Sequence, residues 1–177
     1  MKRSLGRFLL LLSFLLLAGC QSGQDAVFVD PNAVQSGNYG TLSFAANGVT
    51  FGIFDEADAV MQALPEPNNH FVGESCAFGG NDNYYFYNGF ELMCNEMDGV
   101  FRITNIRIAD DTVTTPQGFS IGMTEEAAEA LLPSVGAEQQ THSALGGYTF
   151  VSGTTELVVL ITDGVVTDIH YTPAVQP

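Results

Sequence analysis

The side chains able to do covalent or acid–base chemistry are few. Three histidines, His70, His142 and His170, and three cysteines, Cys20, Cys76 and Cys94, stand among 20 Asp and Glu. Nucleophilic catalysis needs a serine or cysteine held by a base that an acid holds in turn. His142-Ser143 falls in a polar stretch, His170 follows Asp168 by two residues, and no Gly-x-Ser-x-Gly elbow occurs, so the chain is expected not to be an enzyme. Zinc sites want clustered His and Cys, and Asp168-x-His170 alone is too little, so neither metal nor cofactor is expected. Gly79-Gly80-Asn81-Asp82-Asn83 could offer oxygens to calcium, yet it lacks the regular acid spacing of a calcium loop, and turn chemistry explains it equally well. The aromatic run Tyr84-Tyr85-Phe86-Tyr87 is more informative, because alternation along a strand points some of its rings away from the core. Asp82, Tyr84, Tyr85 and Tyr87 therefore form the candidate binding surface, with cross-strand aromatic packing as the other reading of the same rings.

The elements that must position these residues begin with an export signal. Lys2, Arg3 and Arg7 precede an apolar run from Phe8 to Ala18 that ends at Leu17-Ala18-Gly19-Cys20. A membrane-crossing helix needs about 20 apolar residues, and this run stops short at a small-residue site. The tetrapeptide resembles the lipobox of bacterial lipoproteins. That resemblance implies a signal peptide over 1–19, cleavage before Cys20, diacylglycerol on the Cys20 sulfur and a further acyl chain such as palmitate on the new amino terminus. Two or three chains anchor durably, at about 0.8 kcal/mol per buried methylene. The protein is then expected to be lipid-anchored at the extracytoplasmic face of a cell membrane, with residues 20–46, small and polar with Gly23, Pro31, Asn32, Ser36, Gly37 and Gly40, as a flexible tether.

Beyond residue 20 only Arg102 and Arg107 oppose the 20 acids, a formal charge of −18. Phosphate backbones are bound through Lys and Arg, so nucleic acid is excluded as a partner. If Cys76 and Cys94 occupy the first and third strands of a meander they lie about 9–10 Å apart, beyond the roughly 7 Å a disulfide tolerates; two buried thiols are preferred.

The remaining chain, roughly 130 residues, echoes itself. Gly48-Val49-Thr50-Phe51-Gly52 is matched seventy positions later by Gly118-Phe119-Ser120-Ile121-Gly122. Each copy then starts a helix, at Asp55-Glu56-Ala57 and at Thr124-Glu125-Glu126-Ala127, with acids where the helix dipole favours them and Thr124 placed to cap. Pro65 and Pro133 stop them. Asn88-Gly89, Asp98-Gly99, Ser152-Gly153 and Asp163-Gly164 mark hairpin turns, and the apolar run Leu157 to Ile161 marks a central strand. The predicted fold is α+β: two tandem repeats, 47–110 and 111–173, each a short helix followed by an antiparallel β-meander, forming a sheet backed by helices, with 174–177 as a tail.

Ile121-Gly122-Met123-Thr124-x-Glu126-Ala127 and the paired Gly-x-x-x-Gly entries resemble the tandem-repeat lipoproteins related to the secreted β-lactamase inhibitor protein, whose single-repeat relatives are small lipoproteins of outer-membrane assembly. Glu74-Ser75-Cys76-Ala77-Phe78 with Tyr85-Phe86-Tyr87-Asn88-Gly89 is similar to lipoproteins of anaerobic Gram-positive bacteria. The resemblance implies a concave sheet suited to holding a protein or cell-wall ligand. Function is accordingly expected to be that of an anchored, non-catalytic binding module, the alternative being a structural lipoprotein that scaffolds an envelope complex.

Overall fold

In the computed structural model, residues 39–140 and 146–174 are described. Two three-residue strands, β1 (Phe44–Ala46) and β2 (Val49–Phe51), make a small hairpin. Helix α1 (Ala57–Ala63) leads into a meander of β3 (Asn69–Glu74), β4 (Asn81–Phe86), β5 (Phe90–Met97) and β6 (Val100–Ile108). Helix α2 (Glu125–Leu131) and a 3-10 turn at Leu132–Ser134 lead into a second meander, β7 (Glu138–Gln140), β8 (Gly147–Ser152), β9 (Thr155–Thr162) and β10 (Val165–Pro173). The two meanders join in one eight-stranded antiparallel sheet of order β3-β4-β5-β6-β10-β9-β8-β7.

The expected α+β fold with a sheet backed by helices is corrected by this architecture, which is mostly β. Each helix is only seven residues long, and together they bury just Ala57, Val60 and Ala128. Two turns of helix ended by a proline cannot cover eight strands. The cover comes instead from the β1–β2 hairpin and the loops after it, through Leu42, Phe44, Phe51, Ile53, Phe54 and Phe119, all buried. Phe44 is the hub, its ring centroid 5.4 Å from Phe51, 5.3 Å from Phe90 and 5.9 Å from Tyr171. A large side chain buried this way contributes about 1.5–3 kcal/mol. Leu42 and Phe44 lie within the stretch expected as tether, so the packed body begins before residue 47. At the other end Ala174, placed in the tail by the sequence, is buried and donates its N–H to the Thr154 carbonyl at 2.9 Å.

The sheet has an inner face, toward the hairpin and helices, and an outer face. Leu92, Cys94, Ile106, Ile169, Leu157, Val159 and Phe150 point inward and are buried. At the seam, β6 and β10 pair through Ile106 with Tyr171, Arg107 with His170 and Ile108 with Ile169. Beyond it the strands part, and each takes a loop as its neighbour. Phe54 donates its N–H to the Ile103 carbonyl at 2.7 Å on β6, and Gly122 donates to the Val166 carbonyl at 2.8 Å on β10. These bonds align the two halves at an offset of 68 residues in this loop, not the seventy read from the glycines.

Candidate functional site

The outer face gathers polar groups at the seam. Arg107 on β6 lies opposite Glu91 on β5 and His170 on β10, so period-2 alternation sends all three to the same side, with Asp168 two residues from His170. The Arg107 guanidinium donates from Nε to Asp168 Oδ1 at 2.9 Å and from Nη1 to Glu91 Oε1 at 3.2 Å. The other Asp168 oxygen meets His170 Nδ1 at 2.9 Å. Hydrogen bonds to Asp168 and Glu91 hold the guanidinium charged, raising its already high pKa. Half of the Arg107 side chain remains exposed, so solvent screens these pairs and their worth is orientation more than stability. What results is a fixed, partly exposed planar donor in the middle of a sheet, on a chain with only one other arginine after residue 20.

The four residues expected at the binding surface are split by the pleat. Asp82 and Tyr84 come together on the outer face, where the Tyr84 hydroxyl lies 3.5 Å from Asp82 Oδ2. Asp82 also accepts a bond from Asn95 Nδ2, and Asn95 is in turn bonded to the Thr104 hydroxyl and donates to the Asn81 carbonyl at 3.1 Å. Partial burial and the Asp82 charge raise the pKa of the Tyr84 phenol.

Tyr85 and Tyr87 do not join them. Tyr85 pairs with Leu92 on the inner side, stacked on His70 at 4.3 Å between centroids and 6° between planes. Tyr87 is a core residue, stacked on Phe90 at 4.8 Å, with its hydroxyl buried and without a hydrogen-bond partner. Burial, aided by Cys94, pushes its pKa up to about 12. The surface is therefore Asp82 and Tyr84 without the other two rings. Cys20 and His142 lie outside the described residues.

No family model, curated protein or solved structure matches this chain. The residues themselves carry the functional reading.

No motif in the sequence marks Arg107 and Glu91 as a pair. Counting back from the Asp98-Gly99 turn misses their pairing by one, because a β-bulge between Met93 and Cys94 leaves Thr104 as the extra residue on β6. Asp168-x-His170 is visible in the sequence, but Arg107, its neighbour across the seam, is 61 residues from Asp168 in the chain. Among the described residues no group of three or more His, Cys, Asp or Glu could hold a metal ion, and no helix is long and apolar enough to cross a membrane. The Gly79 to Asn83 stretch forms the β3–β4 loop and the start of β4, beside Glu96 and Asp98. Cys76 lies in that loop and is exposed, not buried on a first strand. Cys94 is a free buried thiol, so no bridge joins the two. Burial, then the Asp58 charge, pushes its pKa up to about 12, which keeps it a thiol and not a nucleophilic thiolate at neutral pH.

Proposed function

We propose that the protein is a lipid-anchored extracytoplasmic binding module whose outer sheet face takes a protein or cell-envelope ligand. The observation that carries this reading is the Arg107 cluster with Glu91, Asp168 and His170, flanked on neighbouring strands by Met93 and Tyr84. Arg107, Met93 and Tyr84 stand on the same face of β6, β5 and β4, and Arg, Met and Tyr are the residue types that interfaces favour. The Leu-Ala-Gly-Cys20 sequence supports the anchor, and the acidic surface supports a ligand that is not a polyanion.

Two experiments test the halves of this proposal separately. Mass spectrometry of the amino-terminal peptide from native membranes should find acyl chains on Cys20, whereas a free thiol or a disulfide there overturns the anchoring. For the binding face, a photo-crosslinking residue at position 84 should capture a defined partner in intact cells, and Arg107→Ala should abolish capture. Equal capture from a probe at Asp163, in a turn away from the face, overturns the outer surface as the site.

A further inference from the structure

The two edges of the sheet are protected differently. β7 is only three residues long, Glu138–Gln140, so it offers little to another strand. β3 is six residues long, pairs with β4 in six unbroken steps, and contains no Lys, Pro or bulge. It also carries the large apolar side chains exposed among the described residues, Phe71 at 58% and Val72 at 46%. Its backbone is aimed outward at alternate positions. Ser75 donates to the Gly80 carbonyl at the hairpin end, so residues 69, 71 and 73 face β4 and residues 70, 72 and 74 face solvent. The His70 N–H is accordingly bonded to the Asn69 side chain at 2.9 Å and not to the ladder.

We infer that β3 pairs antiparallel with β3 of a second copy of this chain, centred on Val72, to make a continuous sheet across two molecules. The sequence His70-Phe71-Val72-Gly73-Glu74 is complementary to its own reverse. About Val72, each His70 faces Glu74 of the other copy, an imidazole N–H against a carboxylate. Each Phe71 faces Gly73 of the other copy, on the face where Phe71 already leans over Gly73 of its own strand, its ring carbon 3.3 Å from where a Cβ would stand. Val72 meets Val72. All three outward-facing backbone positions are used at once in this register, the His70 N–H exchanging its bond to the Asn69 side chain for the Glu74 carbonyl of the other copy. A register shifted by one residue along a single strand would oppose an outward group to an inward one and make no ladder. The −18 charge of each exported chain opposes association, so the pairing is weak in dilute salt and strengthens as salt screens the repulsion.

The test is sedimentation velocity of the full chain, purified from membranes in density-matched detergent, over a range of concentrations and NaCl. A two-copy species that grows with both is expected. Val72→Pro removes an N–H that points away from β4, so the fold should survive by circular dichroism, while loss of one bond in each copy should weaken pairing by about thirtyfold. Val72→Lys, which sets like charges opposite one another, is the second probe should the proline variant fail to fold, and it should remain a single copy. Mass that stays at one copy under every condition, or Val72→Lys that pairs as well as the unaltered chain, overturns the inference.

Discussion

Phe54 and Gly122 occupy the same place in the two halves, and they hold it by different means. Both have positive φ, 70° at Phe54 and 80° at Gly122, and both donate to the strand that starts each half's last hairpin arm. Gly122 takes that backbone at no steric cost, and open space surrounds the position where its Cβ would stand. Phe54 pays about 1–2 kcal/mol for the left-handed conformation and is held there by burial of its ring, by its N–H bond and by Arg102, whose Nη1 donates to the Phe54 carbonyl at 2.8 Å. The helix that follows differs too. Thr124 caps α2 by accepting the Ala127 N–H, while Glu56 makes no side-chain cap for α1. One half is built from favourable local choices and the other from tertiary packing that overrides an unfavourable one.

The sharpest way to break this contrast is Phe54→Gly. Relief of strain recovers only part of what loss of the buried ring costs, so stability in urea should fall by about 3 kcal/mol. Gly122→Ala meets no clash but must adopt a left-handed backbone, and should lose about 1–2 kcal/mol. If Phe54→Gly instead stabilises the protein, the ring is not what holds the loop. Thr124→Ala should cost about 1 kcal/mol through the lost cap, and Glu56→Thr should gain about half of that; helix-specific hydrogen exchange separates the two ends. The smallest effect concerns pH. Cys94 stands where the second half has Ile161, so only the first half has a thiol to ionise there. Its folded pKa is raised from 9.0 to about 12, so its contribution is whole below pH 9 and is lost as pH climbs toward 12. Unfolding free energy should therefore decline from pH 9 upward, and Cys94→Val should flatten the first part of that decline, before tyrosines ionise.

The hairpin turns were legible because their chemistry is local. Asp98-Gly99 and Asp163-Gly164 have paired positive φ, 51° and 74° in the first and 53° and 76° in the second, as a tight two-residue turn requires. The same signal at Asn47-Gly48, with φ of 52° and 79°, marks the β1–β2 hairpin, but the polar stretch before it reads as linker. Without that hairpin the covering role falls to helices too short for it. The binding surface was half legible. Alternation says that neighbouring rings part, but which of Tyr84 and Tyr85 faces outward depends on pairing with Leu92, a non-local fact. The Arg107 cluster was hidden by the bulged residue at Thr104, which shifts every pairing beyond it by one.

The seam has a consequence for symmetry. Arg107 and His170 are equivalent positions of the two meanders and also partners across the junction, so an approximate twofold passes between them. In a pair of separate identical chains that spot would be occupied twice by the same side chain, and two guanidiniums would meet with nothing to tell them apart. Covalent continuity lifts that constraint: one position carries the fork and the other the imidazole, with Asp168 bridging them. At the centre of the sheet, joining the halves permits chemistry that neither could have alone.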